Sequence, residues 1–214
     1  MKTIWLTRHG ETEWNTIRKM QGQLNSALTD NGIQQAKNLS KWIENERIDI
    51  IYTSPLKRAY DTATILKGHR EIPIVAHEDL MEINLGQWQG QCISDVKAQE
   101  PEKHQAFWFT PDKYQTTSGE DFYDVRKRVQ RFCQEVLDTE NNKNILIVAH
   151  AIVLKSFIAY TKNLPVSKLW TGERLKPTSI SKSTYMERKF SYAYIGKTEH
   201  YDQESGQGGW FIDQ

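Results

Sequence analysis

The sequence predicts an α/β fold, a three-layer α/β/α sandwich with a mainly parallel central sheet. Three short apolar runs, rich in β-branched and aromatic residues, are typical of buried strands and cover residues 3–7, 48–52 and 145–149. Segments with apolar residues at helical spacing lie between these runs and after the last one. Such alternation covers both faces of a parallel sheet with helices and places ligand sites at the carboxyl ends of the strands.

Two helical patterns follow the first two strands. Thr29 and Asp30 are interpreted as a helix cap, and the apolar face behind them carries Ile33, Ala36, Leu39 and Ile43. Pro55 is tolerated in a first helical turn, and apolar residues follow it at helical spacing, which predicts a second helix over residues 56–67.

A further helix, a final helix and a hairpin are predicted downstream. Ser118 and Asp121 have the spacing of a capping box and precede the clearest amphipathic pattern in the chain. Another apolar stripe follows the third strand and stops before Pro165. Alternating segments at residues 180–186 and 190–195 predict a closing hairpin.

Residues 86–118 fit this alternation poorly. They carry five aromatic side chains among polar residues: Trp88, Phe107, Trp108, Phe109 and Tyr114. We predict an insertion that covers part of a pocket, with Trp108 or Phe109 as the candidates to line it; the alternative is that the rings are core. The tail from residue 201 to 214, which contains three glycines, is expected to be partly disordered.

Size and charge narrow the class of protein. A chain of 214 residues is long enough to bury a sizeable core, and we predict a single domain over residues 1–214. Basic and acidic side chains number 28 and 27, which disfavours nucleic acid or a membrane as a partner. The first apolar run is too short for a signal peptide or anchor, so a cytoplasmic location is expected. Cys92 and Cys133 lack the spacing of a zinc or redox motif and are expected to be free thiols.

Cationic and imidazole side chains are predicted to meet at one edge of the sheet. The first strand ends in Arg8 and His9, the third strand leads into His150, and Arg58 follows the second. Guanidinium groups match phosphate oxygens in bidentate geometry, so the predicted ligand is a phosphate group. Gly10 is expected to let that ligand approach the backbone.

His9 is the predicted nucleophile. An imidazole among cations keeps one neutral nitrogen, which can attack phosphorus while the cations absorb charge on the oxygens. Glu82 is the predicted general acid and base because apolar sequence neighbours favour its protonated form. Metal binding by His9 and His150 is the alternative, but neither has a nearby ligand and the arginines would repel a cation; we predict no metal site.

The stretch Thr7-Arg8-His9-Gly10-Glu11-Thr12 with Trp14-Asn15 resembles the signature of the histidine phosphatase superfamily, also called phosphoglycerate mutase-like. The likeness covers nearly the whole chain and includes Gln21-Gly22, Leu28-Thr29, Gly32, Gln35-Ala36, residues 54–59, Thr62-Ala63, Glu82, Gly86, Trp88, Gly90 and residues 148–150. It implies the fold of that family, with no metal or organic cofactor.

The resemblance also implies roles for individual residues. Arg8, Arg58 and His150 would hold the phosphoryl group, and His9 would receive it. Asn15 and Gln21 would donate further hydrogen bonds to it. Two positions depart from the family pattern: Ala151 stands where Gly or Asn is usual, and Asn25-Ser26-Ala27 replaces Asp-x-Pro. Both lie beside the predicted site, and we expect them to change specificity rather than chemistry, with Ala151 and Glu82 counted among the substrate contacts.

The segment at residues 82–90 resembles the short form found in broad-specificity bacterial phosphatases and in alpha-ribazole phosphatase, whereas phosphoglycerate mutases usually carry a longer one. We therefore predict a metal-independent phosphatase of the histidine acid phosphatase type, which hydrolyses small organic phosphate monoesters through a phosphohistidine. The alternatives are a cofactor-dependent phosphoglycerate mutase, an alpha-ribazole phosphatase, or a non-catalytic phosphate-binding regulator. The expected partner is a small phosphorylated metabolite, and the chain is expected to be a monomer or a homodimer.

Overall fold

A computed structural model describes residues 1–201. Its strands form one sheet: β1 Lys2–Arg8, β2 Ile50–Thr53, β3 Ile74–Ala76, β4 Asn144–Ala149, β5 Ile180–Met186 and β6 Lys189–Lys197. Their spatial order is β3-β2-β4-β1-β5-β6, in which the first four strands run parallel and the last two are antiparallel. The predicted α/β class, mainly parallel sheet and closing hairpin are confirmed. The strand β3 was not predicted, because it has only three residues and Val75 in its middle is exposed.

The helices are α1 Glu13–Thr16, α2 Asp30–Trp42, α3 Lys57–Lys67, α4 Ile93–Gln99, α5 Pro101–Phe109, α6 Phe122–Phe132 and α7 Ala151–Thr161. Thr29 caps α2 as predicted, since its side chain accepts a hydrogen bond from the amide of Gly32. None of the helices within residues 1–201 is long and apolar enough to span a membrane. Both cysteines are free.

The central strands are buried on both faces, so successive side chains enter different halves of the core. Ile4 and Leu6 of β1 pack with α6 and α7, whereas Trp5 packs with α2 and α3. In β4, Ile145 and Ile147 share the first half, and Leu146 and Val148 share the second. This two-sided burial explains why these strands read as continuous apolar runs.

The predicted capping box at Ser118 is wrong by three residues. The N-cap of α6 is Asp121, whose carboxylate accepts hydrogen bonds from the amides of Tyr123 and Asp124. The side chain of Asp124 accepts a hydrogen bond from the amide of Asp121 in return. Two carboxylates therefore form this box, and the sequence search favoured Ser118 because a Ser-x-x-acid pattern is the commoner form.

Residues 86–118 form the short helices α4 and α5 with turns on either side. Trp88, Phe107 and Tyr114 are almost fully buried, and their rings contact one another with centroids 5.1 to 5.7 Å apart. Most of the aromatic residues in this segment thus belong to the core. The segment brings Phe107 and Trp108 to the site described below. The prediction about the tail falls almost entirely on residues 202–214, which lie outside the described residues.

Candidate active site

The parallel strands bring the predicted cations and imidazoles to one edge of the sheet. Arg8 ends β1 and lies opposite Ala149, the last residue of β4, so that His9 and His150 follow neighbouring strand ends. Arg58 lies in the first turn of α3, which begins after the neighbouring strand β2. The rings of His9 and His150 have centroids 5.2 Å apart. Strand register accounts for the convergence of Arg8, His9 and His150, and the first turn of α3 adds Arg58.

A cavity of about 80 Å³ opens at this edge. It is lined by seven of the eight predicted site residues, namely Arg8, His9, Asn15, Gln21, Arg58, Glu82 and Ala151. The eighth, His150, lies fully buried beside His9. Within residues 1–201 no group of three or more His, Cys, Asp or Glu side chains is arranged to hold a metal ion.

The tautomer of His9 is set by its neighbour. Its Nδ1 lies 2.7 Å from the carbonyl oxygen of Gly10, which can only accept, so Nδ1 carries the proton and Nε2 keeps its lone pair. Burial, followed by the positive charges of Arg58 and Arg8, lowers the pKa of His9 well below its usual value. The ring is therefore neutral at physiological pH and has one nitrogen available as a nucleophile.

His150 is a neutral imidazole with unused hydrogen-bonding capacity. Burial first, and then the charge of Arg58, lowers its pKa well below the usual value. Both of its ring nitrogens are buried and have no hydrogen-bond partner within residues 1–201. Buried polar atoms are rarely left in this state in a folded protein, so the arrangement indicates a ligand that completes it.

Two guanidinium groups flank the imidazoles. Arg58 donates from Nη1 to the carbonyl of Leu24 and from Nη2 to that of Gly22, both at 2.7 Å, which fixes its plane. Burial lowers its pKa to about 10, so it remains charged at neutral pH. Arg8 donates from Nη1 to the carbonyl of Leu175 at 3.1 Å. A fixed pair of cations in a buried site stabilises the charge of a bound phosphoryl group.

The carboxylate of Glu82 lies in a polar environment, contrary to the expectation from its apolar sequence neighbours. Its Oε1 accepts hydrogen bonds from the amides of Ile83 at 3.0 Å and Val153 at 3.3 Å, and its Oε2 accepts one from Ile152 at 3.2 Å. Two of these donors belong to the first turn of α7, where the helix dipole also favours negative charge. The three amides therefore fix the position of both carboxyl oxygens of Glu82 at the cavity.

Asn15 and Gln21 are joined through Thr12. The Nε2 of Gln21 donates to Thr12 Oγ1 at 2.7 Å, and this hydroxyl in turn donates to Asn15 Oδ1 at 2.9 Å. Because Asn15 Oδ1 also accepts from the amide of Thr12, its own amide nitrogen is the group left for a ligand. The chain of hydrogen bonds thus orients both side chains that line the cavity.

Gly10 has a different role from the predicted one. A Cβ atom at this position would lie 2.5 Å from the carbonyl oxygen of Gly32 in α2, not in the space of a ligand. In return, a Cβ atom on Gly32 would lie 2.0 Å from the carbonyl oxygen of Glu11. The two glycines therefore allow the backbone after His9 to pack directly on the start of α2.

The structure adds residues that the sequence did not indicate. Lys19, Met20, Leu85, Ile152 and Trp170 line the cavity together with Phe107 and Trp108. Trp170 and Trp108 are stacked at an angle with centroids 5.1 Å apart, and Trp170 Nε1 donates to the carbonyl of Phe107 at 2.7 Å. Of the two predicted candidates Trp108 reaches the cavity, whereas Phe109 is 53% exposed and does not line it. Trp170 lies in an irregular loop, where no periodic pattern marks it.

This fold and site define the class of the protein. The family model for the histidine phosphatase superfamily (branch 1) matches residues 4–198. The chain therefore belongs to that superfamily, and the resemblance carried by its sequence motifs is confirmed.

Individual relatives include several phosphatases. The chain is 31% identical to phosphoserine phosphatase 1 of Hydrogenobacter thermophilus, and the match covers 80% of this chain and 81% of that protein. It is 31% identical to the adenosylcobalamin/alpha-ribazole phosphatase of Escherichia coli, over 78% of this chain and 82% of that one. Among solved structures it is similar to YhfR of Bacillus stearothermophilus, with a TM-score of 0.90, 38% identity, and coverage of 94% and 99% of the two chains. These relatives support phosphatase activity on phosphate esters.

Proposed function

We propose that the chain hydrolyses small organic phosphate monoesters through a phosphohistidine formed on Nε2 of His9. The observation that carries this proposal is the 2.7 Å contact between His9 Nδ1 and the Gly10 carbonyl, because it leaves Nε2 with a lone pair beside two arginines. An imidazole fixed in this tautomer is a competent nucleophile toward phosphorus.

In the first step His9 Nε2 attacks phosphorus, a P–N bond forms, and the P–O bond to the leaving group breaks. Arg8, Arg58 and His150 stabilise the charge that develops on the phosphoryl oxygens. The leaving oxygen takes a proton from Glu82. This step requires Glu82 to be protonated in the complex with the monoester, and its carboxyl group lines the cavity in which the leaving oxygen would lie.

In the second step Glu82 is again a carboxylate and removes a proton from water. The water oxygen attacks phosphorus, the P–N bond breaks, and inorganic phosphate leaves with His9 restored to its neutral form. Glu82 thus acts first as an acid and then as a base. The proton that it takes from water replaces the one that it gave to the leaving group, so one turnover consumes one water molecule without a net change in the protein.

The walls of the cavity favour a leaving group with apolar or aromatic surface. Trp108, Trp170 and Leu85 line the same cavity as the polar side chains, and Lys19 adds a positive charge to the lining. Flat rings stack on tryptophan and gain contact area at small entropic cost. Phosphoserine and alpha-ribazole phosphate, the substrates in the names of the two relatives, are the natural first compounds to test.

The deciding experiment measures phosphate release by the purified chain in the presence of a chelator. The panel consists of p-nitrophenyl phosphate, O-phosphoserine, alpha-ribazole phosphate and 3-phosphoglycerate. In a second assay the enzyme is incubated with substrate that carries a labelled phosphoryl group and is then quenched in alkali. Phosphohistidine survives in alkali, whereas an acyl phosphate does not. We expect the label and the release to disappear in His9→Ala and to persist in the matched variant His69→Ala, whose imidazole is exposed. Release that persists in His9→Ala would exclude the proposed intermediate.

A further inference from the structure

A second and larger cavity lies beside the C-terminal half of α7. Its volume is about 350 Å³, which is within the range of small-molecule sites. Residues of α7, of the loop that follows it and of β6 form its walls. None of its lining residues lines the catalytic cavity, so the two spaces are separate.

Lys155 places a buried ammonium group in this second cavity. Its side chain belongs to a residue that is only 6% exposed, and Nζ donates to the carbonyl of Thr171 at 3.0 Å. Burial lowers the pKa of Lys155 to about 8, with a partial offset from the carboxylate of Glu173. Among the described residues, the carbonyl of Thr171 accepts a hydrogen bond from Lys155 Nζ. An ammonium group has three protons to donate, so it can bind a further acceptor.

The rest of the described lining combines aliphatic side chains with basic and aromatic ones. Lys162 and Lys168 are exposed at the cavity wall, so three lysines oppose the single carboxylate of Glu173. Tyr192 contributes a ring on this face of the sheet, and Lys162 Nζ lies 5.4 Å from its centre. The ring of Tyr194 lies on the other face, where it contacts Trp42. Among the described lining residues there is no arginine, which is the residue best suited to bind a phosphate in bidentate geometry.

We propose that this cavity binds a small aromatic carboxylate. The carboxylate would accept a hydrogen bond from Lys155 Nζ, and the ring would pack against Tyr192 and Ile195. A charge-assisted hydrogen bond to a desolvated ammonium supplies the polar contact, and the Tyr192 ring with the aliphatic lining supplies the apolar one. The site is independent of the phosphatase reaction, since it shares no residue with the catalytic cavity.

The test is a titration of the purified chain with benzoate, followed by heteronuclear NMR and calorimetry. Benzamide, which has the same ring without the charge, is the ligand control. We expect benzoate to shift resonances of Tyr192, Leu164 and Ile195, which line the cavity, and benzamide to bind at least about tenfold more weakly. Shifts confined to the indole groups of Trp108 and Trp170 would assign the anion to the catalytic cavity and overturn the proposal, as would the absence of binding.

Variants assign the contact to Lys155. Lys155→Met keeps the aliphatic stem and removes the charge, so benzoate affinity should fall by about tenfold or more. The matched variant Lys37→Met, at an exposed lysine of α2, should bind like the wild type. If Lys155→Met fails to fold, the double variant Lys162→Gln/Lys168→Gln changes only exposed residues and should weaken benzoate by about threefold. Unchanged affinity in the folded variants would overturn the assignment.

Discussion

At the scale of single residues, the chemistry of the site depends on which backbone group each side chain meets. The Gly10 carbonyl fixes the tautomer of His9, and the amides of Ile83, Ile152 and Val153 fix the two carboxyl oxygens of Glu82. Burial and the charges of Arg58 and Arg8 keep the His9 imidazole neutral. A neutral nucleophile and an oriented acid–base group therefore lie in one cavity.

The role of Glu82 predicts a dependence on the leaving group. Glu82→Gln keeps an oxygen that can accept from the α7 amides but cannot transfer a proton, so kcat should fall by about 10² to 10⁴. The loss of kcat/KM, which reports formation of the phosphohistidine, should be smaller for p-nitrophenyl phosphate than for an alkyl monoester, because p-nitrophenolate leaves without protonation. Steady-state kinetics measure the rate loss with each substrate. Inhibition by inorganic phosphate measures phosphate affinity, and the inhibition constant should change by less than about threefold.

Glu102→Gln, at an exposed residue of α5, is the control and should leave both substrates unaffected. An equal loss of kcat/KM for the two leaving groups would argue that Glu82 positions the substrate and does not donate a proton to it.

At the scale of elements, the backbone segment that follows His9 packs on the start of α2. Gly10 and Gly32 face each other without side chains, and the carboxylate of Glu11 accepts hydrogen bonds from Thr29 and Asn31 at the same helix end. The position of His9 is thus coupled to a helix that contributes no residue to the cavity lining.

This contact predicts that Gly32→Ala is destabilising. In an ordinary helix interior, alanine is favoured over glycine by about 1 kcal/mol. At Gly32 the added Cβ would lie 2.0 Å from the Glu11 carbonyl oxygen, so the backbone after His9 must shift. We expect the free energy of unfolding to fall by about 1 to 3 kcal/mol in urea titrations, and kcat/KM to fall by at least about tenfold. Lys37→Ala on the exposed side of α2 is the control; a stabilised, fully active Gly32→Ala would contradict the packing.

Trp108 and Trp170 form an aromatic wall of the cavity, and removing one of these rings is predicted to weaken the reaction of substrates with a large ring. Trp170 lies in the loop after α7 and contacts Trp108 at the end of α5. Trp170→Ala should lower kcat/KM for 1-naphthyl phosphate by about tenfold and for O-phosphoserine by less than about threefold, since only the ring uses this wall. Phe109→Ala, which removes an exposed ring that does not line the cavity, should change neither value. Equal losses for both substrates would show that the wall does not select the leaving group.

At the scale of the whole molecule, His200, near the end of the described chain, is connected to the active site through Thr178. His200 packs between the rings of Trp42 and Tyr201, and its Nε2 lies 3.3 Å from Thr178 Oγ1. The amide of Thr178 donates to the carbonyl of Arg8 at 3.0 Å. Burial is the main cause that lowers the pKa of His200 to about 4. Stability and site geometry are therefore coupled through a neutral buried histidine.

The pH dependence of stability follows from this depressed pKa. An unfolded chain takes up a proton on His200 near pH 6.5, whereas the folded chain does so only near pH 4. The stabilisation is thus complete above about pH 6.5 and is lost as the pH falls toward 4, by at most about 1.4 kcal/mol per pH unit. Buried neutral His9 and His150 act in the same direction.

Urea unfolding between pH 7 and pH 4.5 tests this dependence. His200→Gln should show a shallower decline in the free energy of unfolding than the wild type, whereas His69→Gln, at an exposed site, should follow the wild type. An unchanged slope in His200→Gln would mean that His200 becomes protonated without disturbing the fold.

The sequence by itself determined the central strands β1, β2 and β4, the helices capped by Thr29 and following Pro55, and the residues at the ends of those strands. Periodicity and capping are local, and the geometry of parallel strands then brings Arg8, His9 and His150 together. The same local information located the hairpin at residues 180–195 and the family signature at residues 7–15.

Only the tertiary structure decided the contacts between distant segments. The two glycines at Gly10 and Gly32, the amides of α7 that hold Glu82, and the wall of Trp108 and Trp170 each join residues far apart in the chain. No periodic pattern records such pairs, because their energies depend on close approach in the folded state rather than on the spacing of residues along the chain.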